Sequence, residues 1–264
     1  ELPEAAYTDI QIDGSAASSS SGPGNRVLYA CAIGHGIFKS SDSGATWTLK
    51  SDGLPVNPLV WQIREDSKGA LYVVIARRKD NGRYGTSDDG AVYKSTDAGE
   101  HWGRLDLPSG LNGPTDIEVD PNDPARLYLS AWSRTDRVYG KHAQGGVFIS
   151  RDAGKTWART LADDFAFSLA IDAKVPNTIY AATSDLAAWR STDGGMTWTR
   201  IRGLNFRNTH RVVPDPTNPK MIYVATNGGG VWYGPAEGDP NAAEDIATPE
   251  ISFTRISKSR QSRH

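Results

Sequence analysis

One eight-residue phrase is written four times along the chain, as SSDSGATW at 40–47, STDAGEHW at 95–102, SRDAGKTW at 150–157 and STDGGMTW at 191–198. Its aspartates, Asp42, Asp97, Asp152 and Asp193, lie 55, 55 and 41 residues apart. A sequence period of this size marks units that cannot bury their own apolar face and must stack on their neighbours, as in propellers and solenoids. The shortest spacing suits four short strands joined by tight turns.

The same order of segments surrounds each copy. A β-branched run is followed by a Pro/Asn/Asp turn and then by a second run such as RLYLSAW, TIYAATS or MIYVATN. A Gly-rich gap leads to a third run (GIFKS, AVYKS, GVFIS), the phrase itself, and a short closing run such as WTLK or WTRI. Four such runs with turn chemistry between them predict one antiparallel sheet per unit. Nothing reads as a long amphipathic helix. The predicted fold is therefore all-β, a β-propeller of four-stranded antiparallel blades. Five blades are expected, at about 8–50, 59–107, 115–161, 166–202 and 209–256, either alone or as part of a larger ring. The fifth lacks the phrase, and ISFTRI at 251–256 is its expected outer strand. One domain over 1–256 and a basic tail over 257–264 complete the predicted organisation.

Within the phrase each residue type has a local task. The carboxylate can accept hydrogen bonds from turn N–H groups, the glycine two residues on can take positive φ, and the indole packs over its hairpin and the adjacent blade. Asp42, Asp97, Asp152 and Asp193, with Trp47, Trp102, Trp157 and Trp198, are thus read as structural. His101 stands where the other three copies have threonine, while the Trp stays.

Composition removes several function classes. Formal net charge is −2, so no basic surface points to nucleic acid, and the only local basic cluster is the terminal SKSRQSRH. No apolar run is long enough for a membrane helix. Cys31, the sole cysteine, sits in the apolar run VLYACAI and is read as a buried, inert thiol. The five histidines have no ligand spacing and the phrase lacks the D-x-D-x-D run of a calcium loop, so no metal or cofactor is expected.

The phrase S-x-D-x-G-x-T-W resembles the Asp-box of BNR-repeat β-propellers, found in sialidases, two-propeller xyloglucan-degrading glycosidases, sortilin-type receptors and a photosystem II assembly propeller. The segments DPNDPARLYLSAW and DPTNPKMIYVATNGGGVW are most similar to xyloglucanase-type and sortilin-type repeats, and the resemblance covers residues 8–234. It implies that the boxes sit at the blade periphery, between third and fourth strands, away from the ligand face. The Arg-Ile-Pro segment and arginine triad of sialidases are absent.

Function is therefore sought on the opposite rim. Units two and three owe their longer spacing to RRKDNGRYGTSDDG (77–90) and SRTDRVYGKHAQGG (133–146), each joining second strand to third. Loops gathered on one face of a rigid scaffold are a common place for a binding site. The candidates there are Arg77, Arg83, Tyr84, Asp88, Arg134, Asp136, Arg137, Tyr139 and His142, with Trp132 at a loop base. The blade connections are expected to add His210, Arg211 and Asn205, and the third inner strand Asp116 and Glu118. Guanidinia, carboxylates and rings in one cleft suit a sugar. Glycoside hydrolysis needs two carboxylates about 5–5.5 Å or about 6.5–9.5 Å apart; Asp80, Asp88, Asp89, Asp116, Asp136 and Asp185 are available, and no pair is singled out. The expectation is a secreted or periplasmic propeller binding an oligosaccharide or polysaccharide, either a portion of a glycoside hydrolase completed by residues outside the chain or a sugar-binding module. The alternative is a non-catalytic propeller that holds a protein partner or remaining blades.

Overall fold

In a computed structural model of the protein the first strand of every unit carries the same irregularity at its start. It falls between Tyr7 and Asp9, Val60 and Gln62, Pro114 and Asp116, Ala166 and Ser168, and Thr209 and Arg211. The structure describes residues 2–14, 26–76, 79–80, 83–84, 90–109, 111, 113–132, 134–135, 142–162, 165–184, 188–204 and 208–242, and at 79–80, 83–84, 134–135 and 142–143 only the backbone pairing. The predicted outer strand at 251–256 lies outside the described residues.

All described elements are strands or turns, and the protein is an all-β propeller. The first blade orders β1 (Tyr7–Ile12), β2 (Leu28–Ala32), β3 (Gly36–Ser40) and β4 (Thr48–Leu49). The second is built from β5 (Val60–Glu65) and β6 (Leu71–Ile75). A small ribbon, β7 (Lys79–Asp80) with β8 (Arg83–Tyr84), intervenes before β9 (Ala91–Ser95) and β10 (Gly103–Arg104) close it. The third repeats this plan with β11 (Pro114–Asp120), β12 (Asp123–Ala131), the ribbon β13 (Arg134–Thr135) and β14 (His142–Ala143), then β15 (Gly146–Ser150) and β16 (Ala158–Leu161). The fourth comprises β17 (Ala166–Ile171), β18 (Ile179–Thr183), β19 (Ala188–Ser191) and β20 (Thr199–Arg200). The fifth has three described strands, β21 (Thr209–Pro214), β22 (Met221–Thr226) and β23 (Gly230–Pro235).

Second strands are apolar on both faces, as in LYVVI of β6, because each lies between two neighbouring blades. Alternate residues then face opposite joints. Leu71 and Val73 enter the cluster shared with Tyr29 and Cys31, while Tyr72 and Val74 enter the one shared with Ile117 and Leu129. The same division repeats at the two following joints, with Tyr128 against Leu169 and Tyr180 against Val212. Each first-strand aliphatic buried there, Ile63, Ile117, Leu169 or Val212, contributes on the order of 1.5–3 kcal/mol. Cys31 is fully buried, and burial pushes its thiol far up, so it is an apolar filler.

The four phrases share one turn, in which the serine hydroxyl and the backbone N–H four residues after it meet the aspartate and serine oxygens in the same way. In the first, Ser40 Oγ donates to Asp42 Oδ1 at 2.7 Å, Thr46 N–H donates to the same oxygen at 2.8 Å, and Thr46 Oγ1 donates to Asp42 Oδ2. Ser43 and Gly44 both have positive φ, 60° and 94°. These bonds, from the Thr46 hydroxyl first, hold the Asp42 carboxyl down at about 2. The indoles reach backwards: Trp102 Nε1 donates to Lys50 O at 2.9 Å, Trp157 Nε1 to Asp106 O at 2.9 Å, and Trp198 Nε1 to Thr160 Oγ1 at 3.1 Å. Each phrase after the first is thus a clasp on the closing segment of the preceding blade. In the fifth blade, which has no phrase, Gly238 bridges to Arg202 and Asp239 N–H donates to Arg202 O at 3.1 Å, so the segment after β23 occupies that place.

Candidate functional site

The irregular start of each first strand turns one residue toward the centre of the molecule. Thr8, Trp61, Thr115, Phe167 and His210 hold that position in the five blades, and the residues after them, Asp9, Gln62, Asp116, Ser168 and Arg211, form a second ring. All ten line one cavity of about 510 Å³, with Ala76, Trp132, Asn227 and Gly113 on its edge. Ala76 and Trp132 directly follow β6 and β12, where the two insertions leave, so the cavity opens on the rim opposite the phrases.

The rings also bind the blades together. Ile63 N–H donates to Asp9 Oδ2 at 3.2 Å, Ile117 N–H to Gln62 Oε1 at 3.3 Å and Leu169 N–H to Asp116 Oδ2 at 3.0 Å, each across a joint. Thr8 Oγ1 donates to Val60 O and Thr115 Oγ1 to Ala166 O in the same sense. One wall is aromatic: Trp132 meets Phe167 edge-on at 5.2 Å, and Phe167 lies 5.8 Å from the His210 ring. Trp61, partly exposed, lines the same cavity.

Below lies a charged layer. Arg64 donates through Nε to Glu118 Oε1 at 2.8 Å and through an Nη1 to Asp9 Oδ2 at 2.8 Å, with Asp116 Oδ1 at 4.0 Å. Burial, with the charge of Glu118 second, pushes the Asp116 carboxyl up, and burial likewise raises Glu118. Asp116 Oδ1 and Ser168 Oγ are buried without a hydrogen-bond partner among the described residues. Burial first, and then the neighbouring Arg211, lower His210 and favour its neutral ring. Among the described residues no group of three His, Cys, Asp or Glu is placed to hold a metal ion. The centre of the carboxylate layer is filled by Arg64.

Of the residues singled out from sequence, Trp132 and His210 meet in this cavity, joined through Phe167, and Asp116 forms its floor. His210 and Arg211 belong to β21 rather than to a blade connection. Arg83 and Tyr84, and Arg134 and His142, lie on the ribbons that the two insertions form. Arg77, Asp88, Asp136, Arg137, Tyr139, Asp89, Asp185 and Asn205 lie outside the described residues. Sequence reading missed Thr8, Trp61, Gln62, Phe167 and Ser168. Their signal was position, two residues before the aliphatic of each first strand for Thr8, Trp61 and Phe167 and one before it for Gln62 and Ser168, visible only once the five strands are aligned on Ile10, Ile63, Ile117, Leu169 and Val212.

Four Asp-box turns at the periphery and a central cavity on the other rim define a BNR-type β-propeller. The model of the family described as Sortilin-Vps10 (Sortilin, neurotensin receptor 3) matches residues 35–185, more than half of the chain, and the chain belongs to that family. It is also similar to a xyloglucanase of Paenibacillus sp, 25% identical over 248 residues that cover 90% of this chain and 22% of the relative. A xyloglucanase of Hypocrea jecorina is 25% identical over 229 residues, covering 77% and 27%. The chain thus spans about a quarter of the length of these relatives, and it is a propeller related to glycoside hydrolases. The fold recurs in an ancestral GH74 enzyme (TM-score 0.58, 19% identity, 83% of this chain and 27% of that one). It recurs again in YCF48 from Cyanidioschyzon merolae (TM-score 0.55, 18% identity, 94% and 72%). No helix among the described residues is long and apolar enough to cross a membrane.

Proposed function

We propose that the chain is a carbohydrate-binding propeller of glycoside-hydrolase type that takes an oligosaccharide segment of a β-glucan such as xyloglucan into the central cavity. The observation that carries the reading is the pairing of two buried polar atoms that have no hydrogen-bond partner among the described residues, Asp116 Oδ1 and Ser168 Oγ, with an aromatic wall of Trp132 and Phe167. A sugar offers hydroxyls to the former and a C–H face to the latter, the usual composition of a small-ligand cleft. The names of the curated relatives support the same ligand class. The same reading assigns a further part of the ligand surface to the insertions at 77–90 and 133–146, through Arg77, Arg83, Tyr84, Asp88, Arg134, Asp136, Arg137, Tyr139 and His142. A secreted or periplasmic location and a single domain over 1–256 belong to the same reading.

Binding rather than hydrolysis is proposed for this chain by itself. Asp9, Asp116 and Glu118 share Arg64, and Asp9 and Asp116 each accept a backbone N–H, which leaves none as a freely placed nucleophile or base. The second reading, a propeller that holds a peptide, draws on the similar fold of a YCF48 structure described as bound to D1 peptide, TM-score 0.54 at 14% identity. Calorimetric titration with xyloglucan and cello-oligosaccharides separates the two. The carbohydrate reading expects saturable binding that weakens at least tenfold, about 1.4 kcal/mol, in Trp132→Ala and Trp61→Ala. Absence of heat with every glucan, alongside saturable peptide binding, favours the second.

A further inference from the structure

Each blade has two unlike faces. Toward the following blade it offers the second-strand tyrosine and a third-strand aliphatic; toward the preceding blade it offers the first-strand aliphatic just beyond the irregularity. At the four internal joints these groups close on one another. Tyr29, Tyr72, Tyr128 and Tyr180 are at most 1% exposed, and Ile63, Ile117, Leu169 and Val212 at most 4%.

The first and fifth blades break the pattern on one face each. Ile10, the counterpart of Ile63, is 57% exposed, and Tyr223, the counterpart of Tyr180, is 39% exposed. Val231 pairs with Ala225 as Ala188 pairs with Ala182, yet Val231 is 70% exposed and Ala188 fully covered. Tyr223 stacks on Tyr233 of its own sheet, at 4.6 Å between ring centres. The clasp is open as well: Trp47 Nε1 donates to Gly44 O within its own turn, whereas the other three indoles bond to the blade before them. No buried cluster joins the fifth blade to the first among the described residues.

We infer that these faces are the two halves of one further inter-blade joint, and that a second copy of this chain supplies the half that each lacks. Tyr223 and Val231 of one copy seat against Ile10 of the other. The occupant is a second copy because one chain carries both halves, unlike and mutually complementary, and their contact repeats in kind the joint that already closes four times within the molecule. Such a contact is heterologous, head to tail, and its repetition gives a ring where the rotation closes and a chain of copies where it does not.

Sedimentation velocity and light scattering of the whole chain over a rising concentration series test this, with Ile10→Asp and Tyr223→Asp as variants. Both positions are exposed, so thermal melts of the variants should match that of the parent and serve as the check on folding. The expected result is self-association of the parent, monomers for each variant alone, and a one-to-one dimer when the two variants are mixed, since the mixture keeps one intact joint. A parent that stays monomeric throughout overturns the inference. So does association that survives in either variant alone, because head-to-tail contact needs both halves.

Discussion

The imidazole Nδ1 of His101 lies 2.8 Å from Asp97 Oδ2, in the place where Thr46, Thr156 and Thr197 put their hydroxyls against Asp42, Asp152 and Asp193 in the other three Asp-boxes. One substitution in the repeated phrase has therefore been absorbed without changing the turn. It also puts a group that titrates near neutrality into one clasp only.

That clasp should be pH-sensitive where the others are not. Asp97, chiefly through the His101 N–H, raises the imidazole above its ordinary value near 6.5, with Asp52 and Glu100 adding to the effect. A raised folded value contributes stability that is complete below pH about 6.5 and is lost as pH rises through the folded value. Thermal melts between pH 5.5 and 9 should show a decline in the parent that His101→Thr flattens. Equal slopes in the two proteins would remove the histidine from the account.

The charged floor predicts an opposite substitution with a related signature. Burial raises the Asp116 carboxyl, so its folded form favours the proton, and the stability this gives is present at low pH and lost as pH rises through the raised value. Asp116→Asn keeps an oxygen for the Leu169 N–H and removes the charge. Urea midpoints measured from pH 5 to 9 should fall less steeply in the variant.

Clasp position decides how much an indole matters. Trp102 is almost fully buried against the first blade, and Trp102→Ala is expected to cost about 3–5 kcal/mol. Trp47 bonds only within its own turn among the described residues, through Nε1 to Gly44 O, and Trp47→Ala should cost clearly less. Denaturant unfolding of both variants checks the order, and equal losses would mean that the indoles act only within their own turns.

Backbone strain in the turns can be relieved. Ala153 has φ 60°, a left-handed conformation that costs a non-glycine residue on the order of 1–2 kcal/mol, while the fourth box already carries Gly194 there at φ 73°. After the extra entropy lost by glycine, Ala153→Gly should raise stability by about 0.5 kcal/mol, roughly 1–2 °C in a thermal melt. A lowered melting temperature counts against the strain argument.

The repeated phrase, its spacing and the apolar runs around it were enough to determine an all-β propeller, because these are local signals: turn residues at fixed offsets and strands that read the same in every unit. Which rim carries the cavity also followed from connectivity, since the insertions at 77–90 and 133–146 leave on the side away from the boxes. Side-chain direction was a different matter. Thr8, Trp61, Thr115, Phe167 and His210 converge only because an irregularity in each first strand shifts the alternation by one residue, and a two-residue period read along the sequence gives no hint of that slip. The sharing of Arg64 by Asp9, Asp116 and Glu118 joins three blades whose residues lie more than 50 positions apart. Local sequence determined what each blade is; only the radial stacking of blades decided which of its residues meet, because those contacts cross joints that no single repeat contains.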